Sequence, residues 1–326
     1  MTDLASQLED YEARFDPLHN DRRARRRRKP KPRHVPKQDT GAIIAAVVDD
    51  TEGLEGGFNP TYQPSKYEAG WLMGSLEQFY DQQIITDVLA AIKGGKEASV
   101  YRCAAGPATG AALAAAKVYR PRMFRQLRND KQYRQGRTIL TAEGRPVKKT
   151  DHRLMRALGK KTAFGVQVEH TSWLMHEYTT LQALHRAGAA VPQPFAANDN
   201  TIIMGYVGDE HVAAPLLNDV RLAEDETRPL FDEVLRNVEL MLGQGWIHGD
   251  LSAYNILYWD GAITLIDFPQ VTALETNPDA YDILRRDLTR ICEYFARMGL
   301  PRDADALTDD LWYRFGGDWI DPSQLT

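Results

Sequence analysis

Three side chains with the chemistry of phosphoryl transfer stand close together in the amino-acid sequence, in the second half of the chain. His248, Asp250 and Asn255 stand in the spacing His-x-Asp-x-x-x-x-Asn, and Asp267 follows an apolar run shortly afterwards. One carboxylate can accept the proton of an attacking hydroxyl, while an asparagine and a second aspartate can hold the magnesium ions that bridge nucleotide phosphates. A lone His-x-Asp is common, and an aspartate after an apolar run usually caps a strand or turn, so this hypothesis needs support from the upstream sequence.

The upstream sequence contains a glycine turn followed by an apolar segment with a single lysine. Residues 92–101 are typical of a strand, a turn at Gly94-Gly95 and a second strand. Such glycines let backbone N–H groups approach phosphate oxygens, although a simple hairpin turn explains them equally well. In the apolar run 111–119, Lys117 is either a strand lysine that reaches solvent or the lysine that pairs with the α- and β-phosphates.

Two further segments follow in the order that a nucleotide-binding fold requires. Residues 173–184 have apolar side chains at helical spacing and include Glu177. Helix glutamates are usually solvated, but Glu177 is the candidate placed to form an ion pair with Lys117. Residues 201–208 are typical of a buried strand that ends in glycine, which suits a hinge whose backbone binds adenine. Five elements in this order favour a protein-kinase-like fold.

With these motifs, the chain resembles the RIO kinases, a family of atypical serine kinases and ATPases associated with ribosome maturation. The resemblance covers residues 75–300, about two-thirds of the chain, and favours the branch without an N-terminal winged helix. The motifs that carry it are G-K-E-A-S-V-Y (95–101), W-L-M-H-E-Y-T-T-L (173–181), A-G-A-A-V-P-Q-P (187–194), H-G-D-L-S-A-Y-N-I-L (248–257), I-D-F-P-Q (266–270) and N-P-D-A-Y-D-I-L-R-R-D (277–287).

The resemblance implies a role for each motif residue. Asp250 would be the catalytic base, and Asn255 and Asp267 would hold Mg²⁺. Asp267 could also become a phosphoaspartate during ATP hydrolysis, since a carboxylate can act as a phosphoryl acceptor. Lys117 would contact the phosphates of ATP, and Glu177 would position Lys117. The other nucleotide contacts would come from the glycine turn and the hinge, namely Lys93, Gly94, Gly95, Lys96, Met204, Gly205 and Val207.

This chain also departs from the family pattern and from ordinary protein kinases. Lys93-Gly94 stands where the family often has Ser-Thr, so backbone amides and the lysine would replace two hydroxyls. Ala253 stands where a glutamate is usual. Gly249 replaces the arginine of His-Arg-Asp, Pro269 replaces the glycine of Asp-Phe-Gly, and no Ala-Pro-Glu follows. We therefore expect neither an activation-loop phosphate switch nor the usual peptide-docking platform.

These motifs predict an α+β, two-lobed protein-kinase-like (RIO) fold. The kinase domain would span residues 75–300, with a small antiparallel-sheet lobe at 75–207 and a mainly helical large lobe at 208–300. Residues 1–74 would be a mostly disordered basic arm, and residues 301–326 a tail that packs its aromatic side chains on the large lobe. Residues 84–92 have helical spacing, but the resemblance calls for a strand there, and we expect the strand.

Composition sets the broad class of the protein. A chain of 326 residues with 43% hydrophobic residues can bury a two-lobed core. Two cysteines cannot form a disulfide framework and suit a reducing compartment. No apolar run is long enough to span a bilayer, and the first residues lack the features of a signal peptide. We therefore expect a soluble cytoplasmic protein without a membrane partner.

Charge is distributed unevenly along the chain. Residues 22–33 hold nine basic and no acidic residues, and residues 120–161 carry a net charge of +11. Removing both from the total of −5 leaves −25 on the remainder. The basic arm 22–33 is either a solubilising tail or a segment that binds nucleic-acid phosphates, and the basic insert 120–161 could contact RNA, ATP or only solvent. We favour ribosomal RNA or a ribosomal particle as the partner of both.

Three interpretations of function compete at this stage. The first is an ATP-dependent serine/threonine protein kinase or ATPase that transfers the γ-phosphate to protein serine, including its own, or to Asp267. The second is a small-molecule phosphotransferase of the aminoglycoside or choline type, because those enzymes share His-Gly-Asp and Ile-Asp-Phe. The third is a nucleotide-switched scaffold for ribosome assembly. The intact residues Lys117, Asp250, Asn255 and Asp267 favour an active enzyme.

Overall fold

The computed structural model describes residues 58–95, 97–120, 139–141, 144–147, 156, 158–160 and 162–316. Within these residues, the chain up to residue 205 forms a sheet with two long helices, and the chain from residue 217 onward is mainly helical. This arrangement confirms the predicted α+β, two-lobed class of fold.

Five antiparallel strands form the sheet of the small lobe, in the spatial order β1-β2-β3-β5-β4. They are β1 (Ile85–Gly94), β2 (Ala98–Ala105), β3 (Leu113–Tyr119), β4 (Pro194–Ala197) and β5 (Thr201–Gly205). The strand expected in residues 84–92 is confirmed. The pairing of β1 with β2 is irregular, with shifts of register between Ile85 and Asp87 and again after Val88. Ile85 and Val88 are therefore both buried although they are three residues apart.

Two helices cover opposite faces of this sheet. Helix α1 (Lys66–Asp81) buries Leu72, Leu76 and Phe79 against one face. Helix α2 (Ala163–Arg186) packs on the other face, where its Leu174 meets the side chain of Tyr119 from β3. Because side chains alternate along a strand, the Tyr119 face of β3 also carries Lys117 and directs it toward α2.

The expected boundary between arm and kinase domain, at residues 74 and 75, falls inside helix α1. The described residues also include a segment before that helix. Tyr62 donates its backbone N–H to the carbonyl oxygen of Val88 at 2.8 Å, and its ring lies 5.7 Å from the ring of Tyr101. Phe58 stacks on Tyr80 at 4.6 Å. These aromatic contacts tie residues 58–65 to the small lobe, while the basic arm 22–33 lies outside the described residues.

The large lobe is built on three helices, α3 (Glu224–Gly243), α4 (Ala280–Arg297) and α5 (Ala304–Phe315), which share one apolar core. The buried helix expected at residues 233–242 is confirmed within α3. Helix α5 occupies part of the predicted C-terminal tail, and its Trp312 and Phe315 pack on the core as expected. Tyr313 does not, because it lies on the opposite face of α5 and is 89% exposed. Trp319 lies outside the described residues.

Two short antiparallel ladders organise the part of the large lobe that carries the motifs. Strand β6 (Trp246–Ile247) pairs with β9 (Thr272–Ala273), and β7 (Ile256–Trp259) pairs with β8 (Ala262–Leu265). The chain leaves β6 and enters β7 through residues 248–255, here called the His248 loop. It leaves β8 and enters β9 through residues 266–271, here called the Asp267 loop. Each loop therefore connects the same two ladders, and the two loops must lie against each other.

Candidate active site

The His248 loop and the Asp267 loop contact each other through backbone groups. The N–H of Ile266 donates to the carbonyl oxygen of Asn255 at 2.9 Å, and the ring Nε2 of His248 lies 3.2 Å from the carbonyl oxygen of Ile266. His248 is buried, with its ring 5.0 Å from that of Phe268. These contacts explain why the two motifs occur together in the chain. The side chain of His248 holds the loop that carries Asp267 against the His248 loop.

The lysine of β3 forms the predicted ion pair with helix α2. The Nζ atom of Lys117 lies 2.6 Å from Glu177 Oε1, and both side chains are largely buried. The hydroxyl of Tyr119 donates to Glu177 Oε2, so both carboxylate oxygens have a partner. Burial and the neighbouring Glu177 raise the pKa of Tyr119 well above its ordinary value, which keeps the hydroxyl a donor. We call Lys117, Tyr119 and Glu177 the lysine cluster.

Lys117 also joins the small lobe to the Asp267 loop. Its Nζ atom lies 2.6 Å from Asp267 Oδ1. Burial disfavours the charged forms of both groups, but their mutual attraction outweighs it. As a result the pKa of Lys117 is raised well above its ordinary value and the pKa of Asp267 is lowered. Both groups are therefore charged at neutral pH.

Asp267 has an unusual backbone conformation. Its φ angle is +71°, in the left-handed region that non-glycine residues rarely adopt, although aspartate is among those that tolerate it. Its Oδ1 atom contacts Lys117, and the side chain as a whole is 41% exposed. Strained backbone of this kind concentrates at functional sites, where the surrounding structure holds it in place. In this conformation Oδ1 lies against Lys117, and part of the side chain stays accessible to solvent.

Asp250 and Asn255 lie side by side within the His248 loop. The Nδ2 group of Asn255 donates to the carbonyl oxygen of Asp250 at 2.8 Å and to Asp250 Oδ2 at 3.1 Å. Because the amide nitrogen is used in this way, Asn255 presents its side-chain oxygen to other partners. The contact orders both side chains in a loop that has only a single turn of 3₁₀ helix.

The donor set suits a magnesium ion. Mg²⁺ prefers carboxylate and carbonyl oxygens, and proteins often supply only one or two while nucleotide phosphates and water supply the rest. Asn255 has an amide oxygen available, and Asp267 has a second carboxylate oxygen beyond the one at Lys117. No cluster of three or more His, Cys, Asp or Glu side chains with metal-binding geometry occurs among the described residues. The residues present therefore fit a metal that is bound jointly with a phosphate-bearing ligand.

Gly249 occupies a place where no other residue fits. Its φ angle is +83°, and a Cβ atom there would lie 2.3 Å from the carbonyl oxygen of Gln270. The arginine that ordinary kinases have at this position could not be accommodated without moving one of the two loops. The replacement noted in the sequence is thus a consequence of how closely the Asp267 loop approaches the His248 loop.

Helix α4 holds the His248 loop from the other side. The N–H of Gly249 donates to Asp287 Oδ2 at 2.8 Å, and Arg286 donates to the carbonyl oxygen of Gly249. Arg290 reaches further, and its Nη1 atom lies 2.8 Å from Asp250 Oδ1. Asp287 is buried, and burial raises its pKa above the ordinary value while Arg286 and Arg290 partly offset that effect.

The glycine turn between β1 and β2 is held by its own backbone. The N–H of Gly95 donates to the carbonyl oxygen of Ala98 at 2.9 Å, and a Cβ atom on Gly95 would lie 2.8 Å from that oxygen. The guanidinium of Arg120 lies over this turn and donates to Ser99 Oγ at 3.3 Å. Lys93, at the exposed end of β1, is near enough to Asp267 to help lower its pKa. Lys96 lies outside the described residues.

The predicted hinge follows β5, and two of its backbone groups are already used within the protein. The N–H of Gly205 donates to the carbonyl oxygen of Gln193 at 2.8 Å, and the carbonyl oxygen of Val207 accepts from Ala214 at 3.0 Å. The hydrogen bonds of the described chain leave the N–H of Val207 open. Met204 contacts the cores of both lobes from β5.

The structure brings together Lys117, Glu177, Asp250, Asn255 and Asp267, the residues at the centre of the sequence hypothesis. The sequence argument gave no role to five others: Tyr119 and Arg290 contact Glu177 and Asp250 directly, and Gln270, Arg286 and Asp287 contact the neighbouring Gly249. Tyr119 could have been found from its position two residues after Lys117 on the same strand face. The remaining four become neighbours of the site only in the folded chain, and they are Gln270, Arg286, Asp287 and Arg290.

The predicted nucleic-acid contacts lie mostly where the structure gives no description. Residues 22–33 lie outside the described residues, and residues 120–161 are described only in short pieces. No helix in the described part of the chain is both long and apolar enough to cross a membrane.

The fold and the paired lysine, glutamate and aspartates define a protein of the kinase-like class. A sequence profile of the RIO domain matches residues 99–307, about two-thirds of the chain. The chain therefore belongs to the RIO domain family, as the resemblance predicted.

Several curated proteins are similar to this chain. The RIO-type serine/threonine-protein kinase Rio1 of Haloferax volcanii is 33% identical over 136 residues, which are 42% of this chain and 46% of that protein. The serine/threonine-protein kinase RIO1 of Chaetomium thermophilum is 29% identical over 246 residues, which are 72% of this chain and 43% of that protein. The chain thus spans less than half the length of these two relatives.

Among solved structures, the Rio2 kinase–ADP/Mg²⁺–phosphoaspartate complex from Chaetomium thermophilum is similar in fold. The TM-score is 0.53 at 20% sequence identity, with 87% of this chain and 78% of that chain covered. At this identity, the likeness supports the two-lobed fold and no further conclusion.

Proposed function

We propose that this protein is an ATP-dependent serine/threonine protein kinase or ATPase of the RIO type. The observation that carries the proposal is the contact of Lys117 with both Glu177 and Asp267, at 2.6 Å each. This contact joins a small-lobe lysine to the loop that follows the Asp250 motif. It is supported by the names of the relatives, which are serine/threonine-protein kinases.

The nucleotide would lie between the glycine turn, the lysine cluster and the hinge. The ammonium group of Lys117 would contact the phosphates, held in place by Glu177. The turn residues Lys93, Gly94, Gly95 and Lys96 would lie over the phosphates. Adenine would accept a hydrogen bond from the N–H of Val207, beside Met204 and Gly205.

Transfer to a serine would use Asp250 as the base. The serine hydroxyl oxygen forms a bond to the γ-phosphorus, the bond from that phosphorus to the β-bridging oxygen breaks, ADP leaves, and Asp250 accepts the hydroxyl proton. Magnesium held at Asn255 and Asp267 would neutralise charge on the phosphates. The hydrogen bond from Asn255 to Asp250 Oδ2 would keep the base and the metal ligand in a fixed relative position.

Transfer to Asp267 is the second route within the same proposal. A carboxylate oxygen of Asp267 would bond to the γ-phosphorus with loss of ADP, and water would then hydrolyse the acyl phosphate to free phosphate. The partial exposure of the Asp267 side chain supports this route.

The connection between the lobes favours a protein substrate over a small molecule. Residues 206–247 are all described, and they contain one long helix, α3, which contributes to the apolar core. Small-molecule phosphotransferases usually place large acceptor-binding insertions in this region.

The proposed setting is ribosome maturation in the cytoplasm. The basic arm 22–33 and the basic insert 120–161 would bind phosphates of ribosomal RNA in a ribosomal particle. Deletion of residues 1–38 should weaken binding to ribosomal RNA and reduce the dependence of binding on salt concentration. An unchanged salt dependence would mean that the arm is only a solubilising tail.

The test of the proposed reaction is to incubate the protein with Mg²⁺ and γ-labelled ATP and to locate the label. Acid-stable label on serine or threonine would support the kinase route. Free phosphate, together with an alkali-labile adduct that Asp267→Asn abolishes, would support the ATPase route. No label transfer and no free phosphate would contradict both.

A further inference from the structure

The carboxylate of Asp250 is held at both oxygens by side chains from different parts of the large lobe. Asn255 donates to Oδ2 at 3.1 Å from within the same loop. Arg290 lies on helix α4, forty residues later in the chain, and its Nη1 atom is 2.8 Å from Asp250 Oδ1. Two opposed donors prevent the carboxylate from turning about its terminal bond.

Arg290 is suited to this contact because its position is fixed by burial. Its side chain is 7% exposed, whereas that of Asp250 is 36% exposed. A buried guanidinium requires a negative charge nearby, and both Asp250 and Asp287 supply one. The Nη1 atom of Arg290 lies 4.0 Å from Asp287 Oδ1. The arginine therefore has few alternative positions, while the aspartate still faces solvent on one side.

Helix α4 thus contacts the His248 loop in two different ways. Arg286 and Asp287 bind the backbone of Gly249 and tether the loop to the helix. Arg290 binds the side chain of Asp250 and acts on the orientation of the carboxylate itself. Arg286 and Arg290 lie one turn apart on α4 and contact the same loop, Arg286 at a backbone carbonyl and Arg290 at a side chain, so they can be compared directly.

We propose that Arg290 is a positioning residue that orients the Asp250 carboxylate toward the acceptor hydroxyl. This role rests on the proposed function, since it requires Asp250 to be the base. Each oxygen of Asp250 accepts from one protein donor and retains a lone pair for the hydroxyl proton of the acceptor. A charge-assisted hydrogen bond from a planar guanidinium restricts direction more than a lysine ammonium would.

The test compares Arg290→Ala with Arg286→Ala in the full chain. Loss of alignment without loss of the base should lower kcat of Arg290→Ala about 10- to 100-fold and leave KM for ATP close to that of wild type. Arg286→Ala removes one of the two contacts that hold the backbone of Gly249 but leaves the contact of Arg290 with Asp250, so its kcat should fall much less. Added guanidinium should restore part of kcat in Arg290→Ala and none in Arg286→Ala.

Each readout separates positioning from a general loss of structure. Unchanged kcat in Arg290→Ala, an equal loss in Arg286→Ala, or no rescue by guanidinium would overturn the role of Arg290. If Arg290→Ala does not fold, Arg290→Met fills much of the same space without a donor, and its kcat should fall by the same factor at an unchanged KM for ATP; a kcat like that of wild type would overturn the role of Arg290. A wild-type protein that does not turn over ATP would overturn the proposed function, and the role of Arg290 with it.

Discussion

The lysine cluster and the His248 loop reach order by different physical means. In the lysine cluster, regular elements bring Lys117 and Glu177 together, and the pair is stable because opposite charges meet in a buried place. In the His248 loop, no regular element aligns Asp250. Backbone hydrogen bonds, Gly249 at positive φ and the side chains of helix α4 hold the loop instead. The first region therefore depends on charge balance, and the second depends on close backbone packing.

The comparison predicts the largest effect on activity in the His248 loop. Asp250→Ala should lower the rate of phosphoryl transfer about 10²- to 10⁴-fold, because it removes the proposed base. The measurement is single-turnover transfer from labelled ATP. Asp232→Ala, on the exposed face of α3, is a control for the loss of one carboxylate. A transfer rate like that of wild type would exclude Asp250 as the base.

The lysine cluster should respond most strongly to the loss of a charge. Lys117→Ala leaves Glu177 and Asp267 without their shared partner and should lower the free energy of unfolding by about 3–5 kcal/mol. The exposed pair of Arg236 and Glu233 has a similar geometry at 3.0 Å, and Arg236→Ala should cost less than about 1 kcal/mol. Chemical denaturation of both variants measures the difference. Equal losses would mean that the buried pair does not depend on charge balance.

Close packing in the His248 loop is tested at two glycines. Gly249→Ala should destabilise the protein by about 3 kcal/mol, since it combines positive φ with a Cβ atom 2.3 Å from Gln270. Gly245 has a similar φ of +77° but no atom within 4 Å of a Cβ position. Gly245→Ala should therefore cost only the strain of the backbone, about 1 kcal/mol. If the two substitutions have the same effect, the approach of Gln270 is not a constraint.

The contribution of Tyr119 to the lysine cluster should be smaller. Tyr119→Phe removes the hydroxyl that donates to Glu177 Oε2 and should cost about 1.5 kcal/mol of stability, with a moderate loss of ATP turnover. Tyr101→Phe is the matched control, because its buried hydroxyl donates to Glu68 away from the site. The control should lose stability but keep turnover. Normal turnover in Tyr119→Phe would mean that Glu177 needs no second partner.

The smallest effect is a dependence of stability on pH. The pKa of Asp267 in the folded protein lies below its ordinary value of 3.8. The ion pair with Lys117 therefore contributes stability above that value and loses it as pH falls through the lower pKa. The difference in Tm between wild type and Asp267→Asn should be constant from neutral pH to about pH 4 and shrink below it. Asp81→Asn, at the exposed end of α1, should show no such pattern, and a difference that grows in acid would contradict the pairing.

The lysine cluster could be predicted from the sequence better than the contacts that hold the His248 loop, because the two regions are ordered by different physical means. Lys117, Glu177, Asp250, Asn255 and Asp267 lie in contiguous motifs, and the order of these motifs together with the family resemblance predicts the pairing of Lys117 with Glu177. The contacts of the His248 loop with Arg290 and Gln270 depend on where helix α4 and the Asp267 loop pack, which spacing does not specify. The contacts of Phe58 and Tyr62 with the small lobe, which lie before the expected boundary at residue 74, have a similar origin, because they form only when the chain packs.

One measurement tests most directly whether the lysine cluster binds the phosphates of ATP and the His248 loop supplies the base. ATP affinity and single-turnover transfer are determined in the same preparations of Lys117→Ala and Asp250→Ala. We predict that Lys117→Ala loses ATP affinity, while Asp250→Ala binds ATP as wild type does and fails only in transfer. Loss of affinity in Asp250→Ala with full affinity in Lys117→Ala would contradict the assignment of phosphate binding to the lysine cluster and of proton transfer to the His248 loop.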